Sequence, residues 1–516
     1  MARRSLAGNI PVKMAAAEGL PNGFSKGIIR QDAGKRAGLR AGRFKVMDNK
    51  DNNRPVSTHD KAARINRDKK FYGTFAEIGA GQEVARWFFV VGGASGALAK
   101  TISAYDMAVS DAIYGKDIRY VSQKRLQKML DYEFDLMVER LGPARGDRSS
   151  FFAFANTVAA RSYKGNDECH GWMGIKFQAR PGGEPSWIVM HVNMLDKENL
   201  QQQQALGIIG VNLAYGAFYL NSEPEKLIAS LLDGLSTERI EVDMIKFTGP
   251  CFAGVDNRLM SLQLVAQGLT GAALIGAGGE VLQPSEVLWK KKILIERGSF
   301  RPVTKVNLDM LDCSRLQFQA EESAGEGEIV ELMEITMSNL LSAGKIDHSD
   351  FLARADLINS VGRMVLISDY ARYFKLASYL RRYTRRSIRI ALGIPTLKEV
   401  LKIKYYDSLE GGILEAFGRL FNNDIKLYVY PFIEGAPARI VTADNVRIPE
   451  EARHLYDHLR KNGCIVPIEN FRKESLGILS RNVFDKICTG DACWEQLVPA
   501  EVAKCIKARR FFGYKP

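Results

Sequence analysis

Short apolar runs alternate with helix-like segments through the second half of the chain, and this alternation limits the folds that are possible. A strand-like run at residues 240–247 is followed by a helix-like segment at 257–268 and a second strand-like run at 272–275, which together predict a βαβ unit. Further strand-like runs occupy residues 292–296, 364–368, 388–392, 426–430 and 464–468. We therefore predict an α/β fold for this part of the chain.

The preceding part of the chain has a different pattern. Residues 71–145 are predicted to be helical with a glycine-rich interruption at 92–96, and the apolar spacing is clearest in a helix at 123–141. Three strand-like runs follow at 151–160, 171–179 and 187–195, separated by turn residues. This order predicts an antiparallel meander, and hence an α+β domain.

A chain of 516 residues exceeds what one hydrophobic core usually serves, so we expect two folded domains behind an N-terminal tail. The expected boundaries are 1–70 for the tail, 71–285 for the α+β domain and 286–516 for the α/β domain. Residues 1–70 carry 17 Lys/Arg against 6 Asp/Glu, whereas residues 71–516 carry 55 against 53. This charge and the high glycine content predict a disordered basic tail. The tail could bind nucleic acid or an anionic surface, or it could direct import into an organelle.

The sequence also limits the compartment. It contains no apolar run of the ~18 residues that a membrane span needs, so we expect no contact with a membrane. Its seven cysteines are scattered and odd in number, which favours a reducing compartment and no structural zinc. We therefore expect a cytoplasmic protein with no metal-binding residues, with organellar import left open. The sequence leaves the oligomeric state open.

The sharpest local signal follows the strand-like run at 292–296. Gly298 and Ser299 end that run, Pro302 lies in the turn, and a helix-like segment occupies 306–318. A strand that turns into a helix in this way presents free backbone N–H groups and a positive dipole end to an anion. The pattern predicts a phosphate site, although an ordinary strand-to-helix turn can use the same residues.

This stretch resembles the first signature of the nicotinamide or nicotinate mononucleotide adenylyltransferases and related nucleotidyltransferases, which is a strand followed by G-[ST]-F-x-P-x-[HT]-x-x-H. The positions that agree are Gly298, Ser299, Phe300, Pro302 and Thr304. Asn307 stands where the family has the last histidine.

A second resemblance to the same family lies near the C-terminus. The closing signature of the family, I-S-[ST]-T-x-[IV]-R, is similar to residues 478–484. Ser480 agrees with that signature, whereas Arg481 replaces the threonine and Phe484 replaces the arginine. Because positions i and i+3 are neighbours on a helix, the phosphate-binding charge would have moved by about one turn.

The resemblance implies a Rossmann-like domain in which a mononucleotide phosphate attacks the α-phosphate of ATP and pyrophosphate leaves, so that positioning and charge carry the catalysis. It implies two groups of site residues: Gly298, Ser299, Phe300, Ser480 and Arg481 for nucleotide binding, with Mg²⁺ at the pyrophosphate end, and Thr304 and Asn307 for catalysis. The implied partners are ATP and a mononucleotide.

The asparagine at the histidine position bears on whether catalysis survives. Asn307 keeps a hydrogen-bond donor but loses a possible positive charge, and one such donor can be worth ~3–4 kcal/mol of the barrier. Three functions are therefore compatible with the sequence. The first is an enzyme with impaired catalysis, and the second is a protein that binds nucleotide or nucleic acid without catalysis. The third is an activity that resides in residues 71–285.

Weaker signals lie outside the two signatures. Glu77, Gly79 and Gly81 resemble the E-x-G-x-G turn of S-adenosylmethionine-dependent methyltransferases, although a tight turn needs the same glycines. Cys169 and His170 could form a nucleophile and base, or be ordinary strand residues. The basic run at 381–386 ends a helix, where cations complement the dipole, but it could also face the phosphates of a nucleotide or nucleic acid.

Overall fold

The computed structural model describes residues 56–161, 169–321, 327–435 and 437–515. In this part of the chain, helices cover both faces of two β-sheets, which confirms the predicted α/β fold. The expectation for residues 1–55 lies outside the described residues. No helix in the described part is long and apolar enough to cross a membrane.

The first sheet has the strand order β2-β1-β3-β4-β5-β6. Its strands are β1 (Phe71–Gly79), β2 (Leu98–Ile102), β3 (Ser150–Ala159), β4 (His170–Gln178), β5 (Pro185–Met194) and β6 (Ile240–Thr248). β1 runs parallel to both β2 and β3, while β3 to β6 are antiparallel. The predicted meander of β3, β4 and β5 is confirmed.

The helical prediction for residues 71–145 is wrong at two places, because β1 and β2 are strands. β1 is paired on both sides and almost entirely buried, so tertiary pairing overrides its local pattern. The helices around the first sheet are α1 (Thr58–Arg67), α2 (Val84–Val90), α3 (Met107–Tyr114), α4 (Gln123–Arg145), α5 (Asn199–Tyr219), α6 (Pro224–Ser230) and α7 (Asn257–Ala266). α4 packs on one face of the sheet, and α2 and α5 pack on the other.

Helix α1 corrects the predicted extent of the unstructured tail. Residues 1–70 were expected to lack stable structure, and this is wrong for residues 58–67. Ala62 and Ile65 are fully buried in the core of the first sheet. Lys61 is also buried, and its Nζ donates to Asn212 Oδ1 at 2.9 Å and to Asp233 Oδ2 at 2.6 Å.

The second sheet has the strand order β16-β13-β12-β9-β10-β11-β7-β8. Its strands are β7 (Ala272–Ile275), β8 (Val281–Leu282), β9 (Lys292–Arg297), β10 (Ile329–Thr336), β11 (Met364–Ser368), β12 (Ile388–Gly393), β13 (Ile425–Tyr430) and β16 (Ile465–Pro467), while β14 (Phe432–Glu434) and β15 (Arg439–Val441) form a separate pair. The strands from β11 through β9 to β16 are parallel, and β7 is antiparallel to β11. Counted from β9, the parallel strands have the order 3-2-1-4-5-6, which is that of a Rossmann fold.

Alternate residues of the second sheet face two helical layers. The helices of this half are α8 (Pro284–Leu288), α9 (Lys305–Ala320), α10 (Met337–Leu340), α11 (His348–Ser360), α12 (Tyr373–Leu380), α13 (Ile394–Val400), α14 (Gly412–Leu420), α15 (Glu450–Lys461), α16 (Ser480–Thr489) and α17 (Ala500–Arg509). Leu294 points toward the core that α9, α11, α16 and α17 complete, whereas Ile293 and Ile295 point toward the core of α12 to α15.

The predicted βαβ unit at 240–275 has the right elements but the wrong connection. β6 belongs to the first sheet and β7 to the second, so α7 joins two sheets instead of two parallel neighbours. The second sheet accordingly begins at Ala272, ahead of the boundary expected after residue 285.

Candidate functional site

The strand order of the second sheet reverses between β9 and β12. From β9 the chain adds β10 and β11 on one side and then crosses to β12 on the other. In open α/β sheets, ligands bind in the crevice that such a reversal creates outside the carboxyl ends of the strands. Gly298 follows β9 and Gly393 ends β12, so the predicted phosphate turn lies at this crevice.

A cleft of about 450 Å³ lies at the same edge of the sheet. Its lining comes from the segments that follow four parallel strands, and it includes Arg297, Thr336, Arg372, Thr396 and Tyr405. A cleft of this size, with three tyrosines and a mostly polar or charged lining, is suited to a small charged ligand.

Arg297 is held rigidly at the end of β9. Its Nε and Nη2 donate to the two carboxylate oxygens of buried Glu334 at 2.8 and 2.9 Å. Nη2 also donates to the carbonyl of Tyr370 at 2.7 Å, and the guanidinium lies 4.3 Å from the ring centroid of Tyr373. This fixed arginine joins the ends of β9, β10 and β11, and Glu334 balances its charge.

Arg372 is the other arginine of the cleft, and it has no carboxylate partner within the described residues. Its guanidinium lies 4.2 Å from the ring centroid of Tyr405. The Tyr405 hydroxyl donates to Glu399 at 2.8 Å. A stacked guanidinium without an acid is suited to an anionic or planar group of a ligand. Arg372 was not identified from the sequence, in which it is a cation that follows the predicted strand at 364–368.

The turn after β9 is fixed by contacts on both sides of the backbone. The N–H of Gly298 donates to the carbonyl of Glu334 at 3.1 Å, and its carbonyl accepts from Asn339 Nδ2 at 3.2 Å. Ser299 is exposed, and the Phe300 ring is buried in the core. Phe300 therefore anchors the turn from below, while Gly298 and Ser299 lie at the edge of the sheet.

Thr304 and Asn307, which the resemblance implies for catalysis, form the cap of α9. Asn307 Oδ1 accepts from the Thr304 backbone N–H at 2.9 Å and from its hydroxyl at 2.8 Å. Asn307 Nδ2 donates to Glu296 Oε1 at 2.6 Å. Both residues are buried, so the side chain of Asn307 positions the turn. Contact of either residue with a phosphate stays a prediction.

Glu296 is an acidic residue that the sequence analysis missed. It lies in β9 and is fully buried, and its Oε2 has no hydrogen-bond partner in the described residues. Burial raises the pKa of Glu296 to about 8, against the bond from Asn307, which lowers it. The signal in the sequence was an acid directly after three apolar residues of a predicted strand.

The second signature lies close to the first. Ser480 is the first residue of α16, and Arg481 is exposed on its first turn. The guanidinium of Arg301 lies 4.0 Å from the ring centroid of Phe484. Arg301 Nε also donates to Asp350 Oδ1 at 2.5 Å. The guanidinium of Arg301, in the turn after β9, therefore lies over the Phe484 ring. Phe484 stands at the position of an arginine in the signature that this segment resembles.

Two histidines and an aspartate of the first sheet are joined by hydrogen bonds. His191 Nδ1 is 2.6 Å from Asp243 Oδ1, and its Nε2 is 2.9 Å from His170 Nδ1. Burial lowers the pKa of His170 to about 4. His170 is thus paired with His191, while Cys169 precedes β4 and is half-buried. The structure brings these two histidines together with an aspartate that the sequence did not single out.

The glycine turn after β1 is closed by the glutamate of its own pattern. Glu77 accepts from the backbone N–H groups of Val84 and Ala85 at 3.1 and 2.9 Å, at the start of α2. Burial raises the pKa of Glu77 to about 7. This carboxyl group already occupies the helix N-terminus, which favours the interpretation of a tight turn.

No family model and no curated protein matches the chain. Similar solved structures are a competence/damage inducible protein, CihA, from Agrobacterium tumefaciens, and a competence damage-inducible protein A, ComA, from Klebsiella pneumoniae. The first is 17% identical, covers 32% of this chain and 94% of its own, and has a TM-score of 0.22. The second is 14% identical, covers 31% and 94%, and has a TM-score of 0.23.

A competence-damaged protein (CinA) superfamily protein from Escherichia coli is similar to the same degree. It is 15% identical, covers 31% of this chain and 87% of its own, and has a TM-score of 0.22. At such scores the likeness supports no conclusion about fold or function.

Proposed function

We propose that the cleft at the carboxyl edge of the second sheet binds ATP and a mononucleotide, as in the mononucleotide adenylyltransferases. One observation carries this proposal: the strand order reverses between β9 and β12, and the Gly298 turn lies at that reversal. A nucleotide bound there would contact the backbone of the turn and the nearby arginines, at the position where open α/β sheets bind nucleotides.

On the β12 side of the crevice, a ligand can approach the protein backbone at Gly393. An added Cβ at Gly393 would meet a Pro395 ring atom at 3.6 Å, which is ordinary contact. Gly393 directly precedes α13, and Pro395 in its first turn donates no backbone N–H. The nearest atom to an added Cβ is this proline ring, so a ligand can approach the Gly393 backbone closely from that side.

Two arginines supply positive charge. Arg372 has no acidic partner in the described residues, and Arg301 is 41% exposed although it pairs with Asp350. In the proposed reaction, the mononucleotide phosphate attacks the α-phosphorus of ATP, the bond to the bridging oxygen breaks, and pyrophosphate leaves with the electron pair. Arg301 and Arg372 would stabilise negative charge on the reacting and leaving groups.

A magnesium ion that arrives with ATP would find one carboxylate in the cleft. Mg²⁺ usually takes one or two carboxylates together with substrate phosphates and water. Glu399 is that carboxylate; it pairs with Lys402 and accepts from the Tyr405 hydroxyl, so the ion would have to displace one of these partners, and Thr336 and Thr396 add hydroxyl oxygens. When bound, the ion would neutralise phosphate charge. Glu399 would hold it, with Ser480 and Arg481 nearer the pyrophosphate end, as the resemblance implies.

A nucleotide-binding protein without catalysis is the second candidate. The observation that favours it is the cap of α9, where the Asn307 amide is already bonded to Thr304 and Glu296. A side chain committed in this way has little capacity left to stabilise a reacting phosphate.

Two measurements on the full chain test these candidates. Calorimetric titration with ATP and Mg²⁺ should give saturable 1:1 binding. A pyrophosphate-release assay with ATP and nicotinamide or nicotinate mononucleotide should then give slow turnover for an enzyme, and none for the second candidate. Absence of ATP binding would rule out both.

A further inference from the structure

Two basic loops meet at the amino edge of the second sheet, opposite the nucleotide cleft. Lys290 and Lys291 precede β9, and the basic run at 381–386 precedes β12. Because β9 and β12 are parallel neighbours, the segments that enter them lie side by side. We call Trp289, Lys290, Arg385 and Arg386 the amino-edge patch.

Hydrogen bonds between the two loops fix the framework of this patch. The backbone N–H of Lys290 donates to the carbonyl of Tyr383 at 3.0 Å, and the Thr384 hydroxyl donates to the carbonyl of Lys291 at 2.6 Å. Arg381 Nη1 donates to the carbonyls of Thr384 at 3.3 Å and Arg386 at 2.5 Å. These bonds within and between the two loops therefore hold the backbone of the patch in place.

The charge of the patch is not balanced. Residues 288–292 and 380–389 contain no aspartate or glutamate. Lys290, Arg385 and Arg386 are exposed, and none of them has an ion pair within the described residues. Burial lowers the pKa of Arg381 to about 10; attraction by Asp424 acts against this shift, and repulsion from Arg385 and Arg389 adds to it. Nearby acids are already paired: Glu328 with Lys291, Glu241 with Arg382 and Asp424 with Arg389.

An aromatic ring accompanies these cations. Trp289 is 43% exposed, and Lys290 Nζ lies 5.5 Å from the centroid of its ring. Together with Tyr383, Trp289 and the basic side chains line a cavity of about 360 Å³. Among the residues lining this cavity, Trp289 is the one large exposed apolar side chain, which is too little apolar surface for a lipid bilayer.

We propose that the amino-edge patch binds single-stranded nucleic acid. Arg385, Arg386 and Lys290 contact successive phosphates, and a base stacks on the indole of Trp289. Positive grooves that carry an exposed aromatic ring are the common means of holding single strands without sequence preference. This site is separate from the proposed nucleotide cleft, which lies at the other edge of the sheet.

The test uses the full chain and a fluorescently labelled oligothymidylate, with anisotropy read over a range of salt concentrations. Arg385→Gln with Arg386→Gln should weaken binding about tenfold at low salt. It should also reduce the slope of log affinity against log salt by about 1.4, at ~0.7 per phosphate contact on a single strand. The matched control is Arg453→Gln with Lys504→Gln, which removes two exposed cations from α15 and α17 and should change neither quantity.

Trp289→Phe provides a second readout. The oligonucleotide should quench tryptophan emission of the wild-type chain, and this variant should lose most of that quenching. Equal effects of the two paired variants, or unchanged quenching in Trp289→Phe, would overturn the proposal. So would an Arg385/Arg386 effect found with vesicles of anionic phospholipid and absent with the oligonucleotide.

Discussion

The Arg301 guanidinium lies 4.0 Å from the ring centroid of Phe484, so the turn after β9 is in contact with α16. These two segments are far apart in the sequence, and each carries one of the signatures that resemble the nucleotidyltransferases. Phe484 stands where that family has an arginine, and Arg301 brings a guanidinium to the same place. A positive charge therefore lies beside Phe484, and it is paired with Asp350.

Arg301→Gln should weaken ATP binding about tenfold, a change of ~1.4 kcal/mol, because the charge over α16 is lost. Arg481→Gln, which removes an exposed cation from the same helix, should have a smaller effect. Calorimetric titration of both variants checks this. If Arg481→Gln has the larger effect, the phosphate-binding charge lies at Arg481 and this role of Arg301 is wrong.

The cap of α9 should contribute measurably to stability. Thr304→Val removes the hydroxyl that donates to Asn307, and loss of a cap typically costs ~1 kcal/mol. Thr304→Ser keeps the hydroxyl and should cost much less. Urea denaturation of the two variants gives the difference. Equal free energies of unfolding would mean that the hydroxyl bond adds nothing to the fold.

Glu296 should make stability depend on pH. Burial raises its pKa from 4.5 to about 8, so the folded protein keeps a proton that the unfolded chain releases. The free energy of unfolding should therefore fall as the pH rises from about 4.5 to about 8. Glu296→Gln imitates the protonated form and should remove this part of the slope. Denaturation at several pH values, with exposed Glu474→Gln as the control, checks the sign. An identical slope in wild type and Glu296→Gln would contradict it.

Helix α1 should account for a difference between two truncations. Deletion of residues 1–70 removes α1 and with it buried Ala62, Ile65 and the bonds of Lys61, whereas deletion of residues 1–55 leaves α1 in place. Burying two such apolar side chains and pairing a buried lysine is worth several kcal/mol in total. The longer truncation should therefore unfold at a clearly lower temperature. Equal midpoints would show that α1 is dispensable.

Most strands of the second sheet were predictable because they are short, apolar and bounded by turns. β9, β11, β12, β13 and β16 all coincide with runs that the sequence marks. β10 was not recognised, and neither was β1, where Gly73, Thr74 and Glu77 interrupt the apolar pattern. Pairing on both sides decides the structure of such a strand, and pairing is not a local property.

The change of sheet between β6 and β7 could not be read from the sequence either. A strand, a helix and a strand have the same local pattern whether the two strands pair or belong to different sheets. For the site, the sequence located the strand-to-helix turn at Gly298, whereas the cap that Thr304 and Asn307 form was seen only in the structure. The contacts of Arg301 with the Phe484 ring and of Arg372 with the Tyr405 ring could not be predicted. They depend on packing between residues that are far apart in the sequence.

Gly393 provides the most direct test of where the nucleotide binds. The fold accommodates a Cβ at Gly393, which meets one ring atom at 3.6 Å, and Gly393→Val places a branched side chain at the strand reversal. The matched control is Gly254→Val, where nothing lies within 4 Å and which is remote from the cleft. Calorimetric titration with ATP and Mg²⁺ should give at least tenfold weaker binding for Gly393→Val, with thermal stability and the control unchanged. Wild-type affinity in Gly393→Val would contradict a nucleotide site between β9 and β12.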